Sequence, residues 1–325
     1  MSDALLLTAS DFAPLREDPA HLNGAMDAVE AAVNFRAHNT LREGRLVDRV
    51  PGEFEGIQVS LLAGDGVLSG MRVFGNPPHT RAFLLFDGTT RALLALMDFS
   101  VLNSMRVGAM AGVAARYLAP SSARVMGIIG SGWQALPQAF AVTRAAPSLE
   151  RIHVFSPTLA HRERFALAMT ARLGIRVEPV PCIQDAIQDA DIVDLCAPGQ
   201  FDVREPLFEP DWVKPGALII SMAASQYTGE TVQRSRVVAM SYESLVSQPN
   251  ARPPYDKLIE QGVFTENDVT ELGAVILKGA NPRRSPQDTV LYNLDIGTVQ
   301  TLFVAMWGYE WAKARGLGTA FALSV

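Results

Sequence analysis

The pattern of apolar and polar positions changes character about one third of the way along the chain. Between residues 45 and 97, short apolar runs are separated by polar turns, which predicts an antiparallel meander of strands. From residue 123 onward, apolar runs alternate with segments of helical periodicity, which predicts a doubly wound parallel sheet. The two patterns indicate two domains of different architecture.

The first part is predicted to contain an amphipathic helix, a set of strands and a buried helix. Apolar residues from Leu22 to Val33 recur at helical spacing within residues 21–37. The strands are predicted at residues 46–50, 57–62, 70–74, 82–86 and 93–97. Residues 103–118 are small or apolar almost throughout, so this helix is expected to be buried on most sides, and residues 119–122 mark the crossing to the second domain.

The second part supplies the parallel sheet. Its strands are predicted at residues 125–129, 152–155, 176–179, 192–197, 217–221 and 237–240. A long apolar helix is predicted over residues 297–314, and because no strand is predicted after it, it is expected to fold back onto the first domain. The sequence therefore predicts an α/β fold with a Rossmann domain at 120–296. An α+β domain is predicted from 1–119 and 297–325.

Composition excludes several classes of partner. The 325 residues carry a formal net charge of −6, which argues against nucleic acid. Two cysteines, Cys182 and Cys196, cannot form a disulfide framework, and the five histidines show no metal-ligand spacing. No uncharged apolar run reaches the roughly 18 residues of a membrane span, and no secretory signal begins the sequence. We therefore expect a cytoplasmic protein with no metal and with neither nucleic acid nor a membrane as partner.

The most informative stretch is a glycine turn after the first strand of the parallel sheet. Gly130, Ser131, Gly132 and Ala135 form a Gly-x-Gly-x-x-Ala pattern that matches the dinucleotide-binding fingerprint. Gly130 allows the tight turn, and Gly132 lets the backbone approach a pyrophosphate. The helix that follows offers free N–H groups to the phosphates. An ordinary strand–turn–helix junction is the alternative, so the flanking segments decide.

The second strand of this domain predicts the preferred cofactor. In NAD-preferring domains an acidic residue near this point usually bonds the ribose 2′-hydroxyl. Here Ser156, Pro157 and Thr158 take its place and Arg162 follows, which favours the 2′-phosphate of NADP(H) over NAD(H). The alternative is that Arg162 simply faces solvent. Further predicted cofactor contacts lie in the glycine turn and at the ends of the fourth and fifth strands: Ser131, Gln134, Cys196, Ala197 and Met222.

Four arginines in the first part are candidates for binding a carboxylate. Arg45 and Arg49 share strand parity, Arg72 lies in a strand, and Arg106 opens an otherwise uncharged helix. A buried charge is costly unless it is paired, and a guanidinium can hold a carboxylate through two parallel hydrogen bonds. The alternatives are solvated positions for Arg45 and Arg49 and an ion pair with a core acid for Arg106.

A loop in the same part supplies further candidates. His79 follows Asn76-Pro77-Pro78 and is a candidate proton donor at the mouth of a site, and Asn76 is a candidate for binding substrate. A surface histidine is the alternative interpretation.

Several motifs occur in the order typical of one known family. They are Gly70-Met71-Arg72, Leu84-Leu85-Phe86-Asp87, Met105-Arg106-Val107-Gly108-Ala109, the glycine turn, Asp191-Ile192-Val193 and Lys214-Pro215-Gly216. Together they resemble the ornithine cyclodeaminase/μ-crystallin family over nearly the whole chain. The resemblance implies NAD(P)-dependent chemistry on small amino or imino acids and a homodimer. It also implies a substrate-binding and dimerisation role for the domain formed by 1–119 and 297–325.

The resemblance further implies roles for single residues. The family's substrate arginine maps onto Arg106, and its first-strand arginine maps onto Arg45 or Arg49. Its substrate lysine falls on Arg72, and its cyclodeaminase aspartate falls on Ser225. Arginine stays protonated and cannot exchange a proton as lysine can, and serine cannot act as a carboxylate base. Both departures argue against ornithine cyclodeamination.

The main hypothesis is an NADP(H)-dependent imine reductase or amino-acid dehydrogenase that transfers hydride at the α-carbon of a small imino acid. Its catalytic candidates are Arg72, Arg106, His79 and Ser225. Arginine in place of lysine favours a more acidic substrate, such as a dicarboxylate. Two alternatives stay open: an NADPH-binding protein with little activity, similar to μ-crystallin, and a cyclodeaminase with altered acid–base residues.

Overall fold

The computed structural model describes residues 4–39, 41–47, 58–64, 68–75, 81–197, 206–222, 226–246, 253–294 and 299–322. The strands are β1 (Ala4–Leu7), β2 (Leu41–Val47), β3 (Gln58–Gly64), β4 (Leu68–Phe74), β5 (Arg81–Asp87), β6 (Leu93–Asp98), β7 (Val125–Ile129), β8 (Arg151–Phe155), β9 (Arg176–Pro179), β10 (Ile192–Leu195), β11 (Leu218–Ser221), β12 (Ser235–Ala239), β13 (Val269–Glu271), β14 (Thr289–Asn293) and β15 (Thr319–Phe321). The helices are α1 (Ala13–Glu17), α2 (Leu22–His38), α3 (Ser100–Leu118), α4 (Ala135–Ala145), α5 (Leu159–Leu173), α6 (Ile183–Ile187), α7 (Gly229–Gln233), α8 (Tyr242–Val246), α9 (Tyr255–Glu260), α10 (Leu272–Lys278) and α11 (Val299–Lys313).

The chain divides into two compact units. One comprises Met1–Arg106 and Gly297–Val325, and the other comprises Val107–Ile296. The division falls inside α3, whereas the sequence predicts it at residue 119. The reason is packing: a Cβ on Gly108 would lie 2.7 Å from the Pro137 backbone, so the second half of α3 lies directly against α4.

The first unit is built on a seven-stranded sheet with the order β15-β1-β6-β5-β4-β3-β2. Strands β2 to β6 form an antiparallel meander, as the sequence pattern predicts. Phe83 and Leu85 on one face of β5 are fully buried, while Leu84 and Phe86 on the other face are half-buried. One side of the sheet therefore carries the core of this unit.

Helices α2 and α11 pack against each other in this unit. Their contact is close because Gly24 faces Trp307: a Cβ on Gly24 would lie 2.5 Å from the indole nitrogen. Further along, the rings of Phe35 and Phe303 lie 5.4 Å apart between centroids. Small and large residues on facing helices thus interdigitate, as close-packed interiors require.

The second unit is built on an eight-stranded parallel sheet with the order β13-β12-β14-β11-β10-β7-β8-β9. The order runs from β7 through β8 to β9 in one direction and through β10 to β11 in the other. The winding therefore reverses between β7 and β10. In open α/β sheets a ligand binds at this reversal, outside the carboxyl ends of the strands.

One carboxylate joins the amino-terminal ends of three strands in this sheet. Asp191 accepts hydrogen bonds from the amides of Arg124 (2.7 Å) and Val125 (3.0 Å) and pairs with Lys214. Burial by itself raises the pKa of Asp191, but Lys214 and the two amides outweigh burial and lower it. Two of the family-like motifs, at Asp191 and Lys214, are thus explained by one ion pair.

β13, β14 and β15 lie where the sequence predicts no strand. β13 and β14 extend the parallel sheet, and β14 lies between β11 and β12. The prediction that no strand follows the terminal helix is wrong, because β15 follows α11 and pairs with β1 in the first unit. β15 spans three residues, which is too short to show a periodic pattern.

Within the ranges that the structure describes, no helix is long and apolar enough to cross a membrane. The same ranges contain no group of three or more His, Cys, Asp or Glu side chains placed to hold a metal ion.

Candidate functional site

The glycine turn lies at the carboxyl end of β7, beside the reversal of the sheet. Gly130 has a φ of 114°, and a Cβ there would lie 2.8 Å from the carbonyl carbon of Cys196. Only glycine is compatible with this backbone. The Gly130 amide donates to the Phe155 carbonyl (2.7 Å), and the Cys196 amide donates to the Ile129 carbonyl (2.8 Å). The turn is therefore fixed against the ends of both neighbouring strands.

Beyond the turn the backbone is open. A Cβ on Gly132 would meet no atom within 4 Å. Among the described residues, the amides of Ser131, Gly132 and Gln134 donate to no protein group. These amides lie in the turn and at the N-cap just before α4, next to the end of the helix where N–H groups lack intrahelical acceptors. A cluster of this kind fits a pyrophosphate.

Gln134 adds a buried polar atom beside the same turn. Its side chain is buried, and its Oε1 accepts no hydrogen bond within the described part of the chain. A buried amide oxygen without a donor is costly in a protein that binds nothing there. The unpartnered oxygen, the free amides and the open space at Gly132 together fit a bound dinucleotide.

Cys196 and Ala197 lie across from the turn, at the end of β10. Cys196 is buried and Ala197 is half-buried. Burial, and next the neighbouring Asp194 carboxyl, raise the pKa of the Cys196 thiol well above its ordinary value. The thiol is therefore neutral and serves as a small apolar wall rather than a nucleophile.

Asp194 itself is a fully buried acid in the central strand β10. Burial raises its pKa to about 7, against the opposing effect of a hydrogen bond with the Cys196 thiol. Sequence reasoning passed over Asp194, because an acid within an apolar run gives no indication of its exposure. The structure places it two residues before Cys196, which lies across from the glycine turn in the crevice at the carboxyl ends of the strands.

Gln226 is a second residue that the sequence did not single out. Its Nε2 donates to the Ala197 carbonyl (2.8 Å), and its own carbonyl accepts from the Leu207 amide (3.0 Å). Ser221 Oγ at the end of β11 lies 3.5 Å from its Oε1. Gln226 thus joins the ends of β10 and β11 below the crevice. Only the pairing of the two strands shows this role, since a lone glutamine in a polar segment carries no sequence signal.

The segment after β8 binds the glycine turn through hydroxyl groups. Ser131 Oγ donates to Ser156 Oγ over 2.9 Å, and Ser156 is buried. Pro157 and Thr158 are exposed. A serine pair therefore stands where an NAD-preferring domain usually has a carboxylate.

Arg162 folds back over the end of the same strand. Its Nη1 donates to the Ser156 carbonyl (2.8 Å), and its guanidinium carbon lies 5.6 Å from the centre of the Phe155 ring. The side chain is held against the strand and is half-exposed, and its role in cofactor binding stays a prediction. Met222, just beyond β11, is half-buried.

The first unit contains a buried arginine on β4. Arg72 is buried, 2% exposed, on the core face of β4, and its guanidinium carbon lies 4.4 Å from the centre of the Phe74 ring. The register places Arg72 opposite Ser60 and Ser60 opposite Arg45, so the two arginines lie on one cross-strand row. Neighbouring strands are about 4.8 Å apart, so the backbones of Arg45 and Arg72 are roughly 10 Å apart.

Arg106 is also buried, in the second turn of α3. Its Nη2 donates to Asn103 Oδ1 over 3.0 Å. This contact is with a neutral amide one helical turn away. A guanidinium can hold a carboxylate through two parallel hydrogen bonds.

The other predicted site residues of the substrate set lie outside the described residues. They are Arg49, Asn76, His79 and Ser225. Their roles in binding or catalysis, like those of Arg72 and Arg106, stay predictions.

Comparison with known proteins shows one family match over most of the chain. Residues 67–314 match the model of the ornithine cyclodeaminase/mu-crystallin family. The chain is 28% identical over 246 residues to the mouse ketimine reductase mu-crystallin. The aligned region covers 74% of this chain and 72% of the relative. It is 29% identical over 242 residues to the iminosuccinate reductase of Paracoccus denitrificans, with the same two coverages.

A solved structure extends the likeness to the whole fold. The Thermococcus litoralis Δ1-pyrroline-2-carboxylate reductase, in complex with NADH and L-proline, superposes with a TM-score of 0.81 at 25% identity. The match covers 97% of this chain and 99% of that protein. The motif order, the two sheets and the matched family model agree, and the chain belongs to the ornithine cyclodeaminase/mu-crystallin family.

Proposed function

We propose that this protein is an NADP(H)-dependent reductase of a small imino acid, acting in either direction between the imine and the amine. The observation that carries the proposal is the open cradle at Gly130–Gln134, which combines free amides, an unpartnered buried amide oxygen and space for a pyrophosphate. The three relatives described above are reductases of carbon–nitrogen double bonds by name, and one of them holds NADH. Their chemistry agrees with what the cradle would bind.

The nicotinamide, when bound, supplies or accepts the hydride. The chain's own part is to bind and orient the imino acid. Arg72 and Arg106, together with Arg45 or Arg49, would hold its carboxylate, and orientation of this kind supplies a large share of the rate. An imine nitrogen that is already protonated in solution needs no strong acid from the protein. A protonated imine is therefore compatible with arginine and serine at the family's lysine and aspartate positions.

The preference for NADP(H) is part of the proposal. A carboxylate at the end of β8 would repel a 2′-phosphate, whereas this segment offers two hydroxyls, and Arg162 lies within the same turn. Arg162→Glu is expected to raise the Kd for NADPH by at least about tenfold and to leave the Kd for NADH within about twofold. Arg164→Glu, an exposed position on the same helix, is the matched control. An unchanged ratio of the two constants in Arg162→Glu would contradict the preference.

The activity itself is tested by oxidation of NADPH with a panel of cyclic and linear imino acids, including one dicarboxylate. The proposal expects turnover with at least one of them, measured from the absorbance of the reduced nicotinamide. A parallel titration of NADPH against the protein separates binding from chemistry. Tight binding with no turnover on any imine would instead favour a cofactor-binding protein. Ammonia release from a diamino acid would favour a cyclodeaminase.

We also infer that the working form is a homodimer. On the outer face of the first unit's sheet, one cross-strand row carries four large apolar side chains on four neighbouring strands: Leu6, Leu96, Leu84 and Met71. Leu6 is 40% exposed, and the other three are half-buried. A continuous apolar face of this kind is typical of an interface between copies.

A further inference from the structure

A cavity of about 450 Å³ opens in the second unit at the amino-terminal edge of its parallel sheet. Its walls come from the start of β12, from the segment that leads into β13 and from residues 281–284, which precede β14. The glycine turn lies at the carboxyl ends of the strands, so the cavity is at the other edge of the same sheet. It is therefore separate from the cofactor site, and its volume lies within the range of small-molecule pockets.

The apolar part of the cavity's lining, which we call its floor, includes Val237, Val263 and Phe264. Val237 and Phe264 are buried there, and Val263 is 48% exposed. Phe264 is fixed by the rings of Tyr242 and Tyr255, whose centres lie 6.3 Å and 5.0 Å from its own. A large exposed valine beside a fixed aromatic ring offers contact area to the apolar body of a ligand.

The rim carries two arginines, Arg236 and Arg284. The Nε of Arg236 donates to Asp288 Oδ2 over 2.9 Å, and Asp288 also accepts from the backbone amide of Arg284 at 2.8 Å. The exposed Arg284 guanidinium has no hydrogen-bond or ion-pair partner in the part of the chain that the structure describes. One full positive charge at the rim is thus available to a ligand.

An acid on the rim, Asp268, accepts hydrogen bonds that fix part of the wall. Asp268 Oδ2 accepts from the Thr265 amide (2.8 Å) and from the Thr265 hydroxyl (3.0 Å), which closes a capping box at a single helical turn. This bond fixes the wall that carries Val263 and Phe264.

The opposite wall is equally fixed. Arg283, next to Arg284, donates from Nη1 to the Leu118 carbonyl (3.0 Å) and from Nη2 to the Gly216 carbonyl (2.9 Å). Asp288 binds the backbone on the other side of Arg284. Both walls are therefore held by hydrogen bonds that do not involve a ligand, and a preformed cavity avoids the ordering cost of binding.

From this arrangement we propose a second ligand site, which takes a small molecule with one oxyanion, a carboxylate or a phosphate monoester, on an apolar body. The oxyanion binds Arg284 and the free N–H groups of Arg236, and the apolar body lies on Val263 and Phe264. This site does not depend on the redox function of the crevice.

The test uses two fluorinated probes that share one body: 4-fluorobenzoate and 4-fluorophenyl phosphate. Each is titrated with the full chain saturated with NADP⁺, so that the nucleotide crevice is filled, and ¹⁹F line broadening gives the Kd. Arg284→Ala is expected to raise the Kd by about tenfold or more, because a charge-assisted hydrogen bond is lost. Arg151→Ala, at an exposed arginine at the start of β8 in the same sheet, is expected to leave it unchanged.

A second variant keeps the test independent of Arg284. Val263→Glu places a negative charge on the exposed floor and is expected to abolish broadening while the circular dichroism spectrum is retained. Broadening of only one probe supports the site and identifies the oxyanion. The proposal is overturned if neither probe broadens, if Arg284→Ala binds like the wild type, or if Arg151→Ala loses as much affinity as Arg284→Ala.

Discussion

Arg72 occupies a position in β4 that the alternation of the strand assigns to an apolar side chain. Leu68 and Gly70 before it on the same face are buried, and Arg72 is buried with them. The sequence shows the arginine and its strand. It does not distinguish an arginine on the core face of a strand from one on the solvated face. Burial on the core face is what distinguishes Arg72 from an arginine at a solvated strand position.

Removing the charge of Arg72 should weaken the binding of substrate. Arg72→Met removes the charge and keeps the length of the side chain, so kcat/KM for the imino acid should fall by about 100-fold. The Kd for NADPH should stay within about twofold, because the cradle belongs to the other unit. Steady-state kinetics and a cofactor titration on the same preparation measure both. A variant with unchanged kcat/KM would remove Arg72 from the substrate site.

A second buried residue, Asp194, should make the stability of the protein depend on pH. Its folded-state pKa of about 7 lies above the ordinary value of 3.8, so the folded protein holds the proton more tightly than the unfolded chain. The stabilisation that results is complete below pH 3.8, falls as pH rises, and is lost above the folded pKa. Two pH units separate pH 5 from that pKa, which corresponds to about 3 kcal/mol.

Asp194→Asn tests this, because asparagine keeps the shape and does not titrate. Relative to the wild type, the variant should gain about 3 kcal/mol in free energy of unfolding between pH 5 and pH 8, as measured by urea denaturation at the two values. All other groups titrate alike in both proteins and cancel. Equal differences at pH 5 and pH 8 would mean that Asp194 does not hold a proton in the folded state.

At the scale of a structural element, the two glycines of the turn are required for different reasons. Gly130 is required by its backbone angle and by the close approach of Cys196, whereas a side chain on Gly132 would meet no protein atom. Gly130→Ala should therefore lower the free energy of unfolding by roughly 3 kcal/mol. Gly132→Ala should leave it unchanged and raise the Kd for NADPH by about tenfold or more, because its methyl group enters the space for the pyrophosphate.

Thermal unfolding and NADPH titration of the two variants separate the effect on stability from the effect on cofactor binding. Each glycine serves as the control for the other, since the substitution is identical and only two residues apart. If Gly132→Ala binds NADPH as well as the wild type, the cradle does not hold the pyrophosphate at that residue. If Gly130→Ala is as stable as the wild type, the turn is not fixed against β10 as described.

Elements were predictable from sequence where they are long and periodic. The amphipathic pattern of the helix at Leu159–Leu173 ends at Gly174, which adopts a left-handed C-cap. β14 was missed although its residues are apolar, because it enters the sheet between β11 and β12, out of chain order. Pairing with distant strands, as in β14 and β15, leaves no local trace in the sequence.

The cofactor site was more predictable than the substrate site for a physical reason. A glycine turn has a fixed spacing because backbone geometry demands it, so Gly130 and Gly132 are visible in the sequence. Gln226 acts through a contact with a residue 29 positions earlier in the chain, and Asp194 is perturbed by burial inside the sheet, neither of which a spacing encodes. Their importance appears only when the strands are paired.

For the whole molecule, we expect the outer face of the first unit's sheet to form the interface of a dimer. A row of Leu6, Leu96, Leu84 and Met71 crosses four strands, and a two-fold axis would bring the same row of a second copy against it. Burial of that many large apolar side chains is worth several kcal/mol, at about 25 cal/mol per Å² of apolar surface. We therefore expect the wild type to be a dimer in light scattering coupled to size exclusion.

Leu84→Lys tests the assignment of that face. A lysine at a half-buried position can extend to solvent in a single chain, but two charges that meet across a two-fold axis repel each other. The variant should therefore elute with half the wild-type mass and a retained circular dichroism spectrum. Leu167→Lys, at a leucine that is 77% exposed in the second unit, is the matched control and should stay dimeric. A Leu84→Lys protein that remains a dimer would place the interface on another surface of the chain.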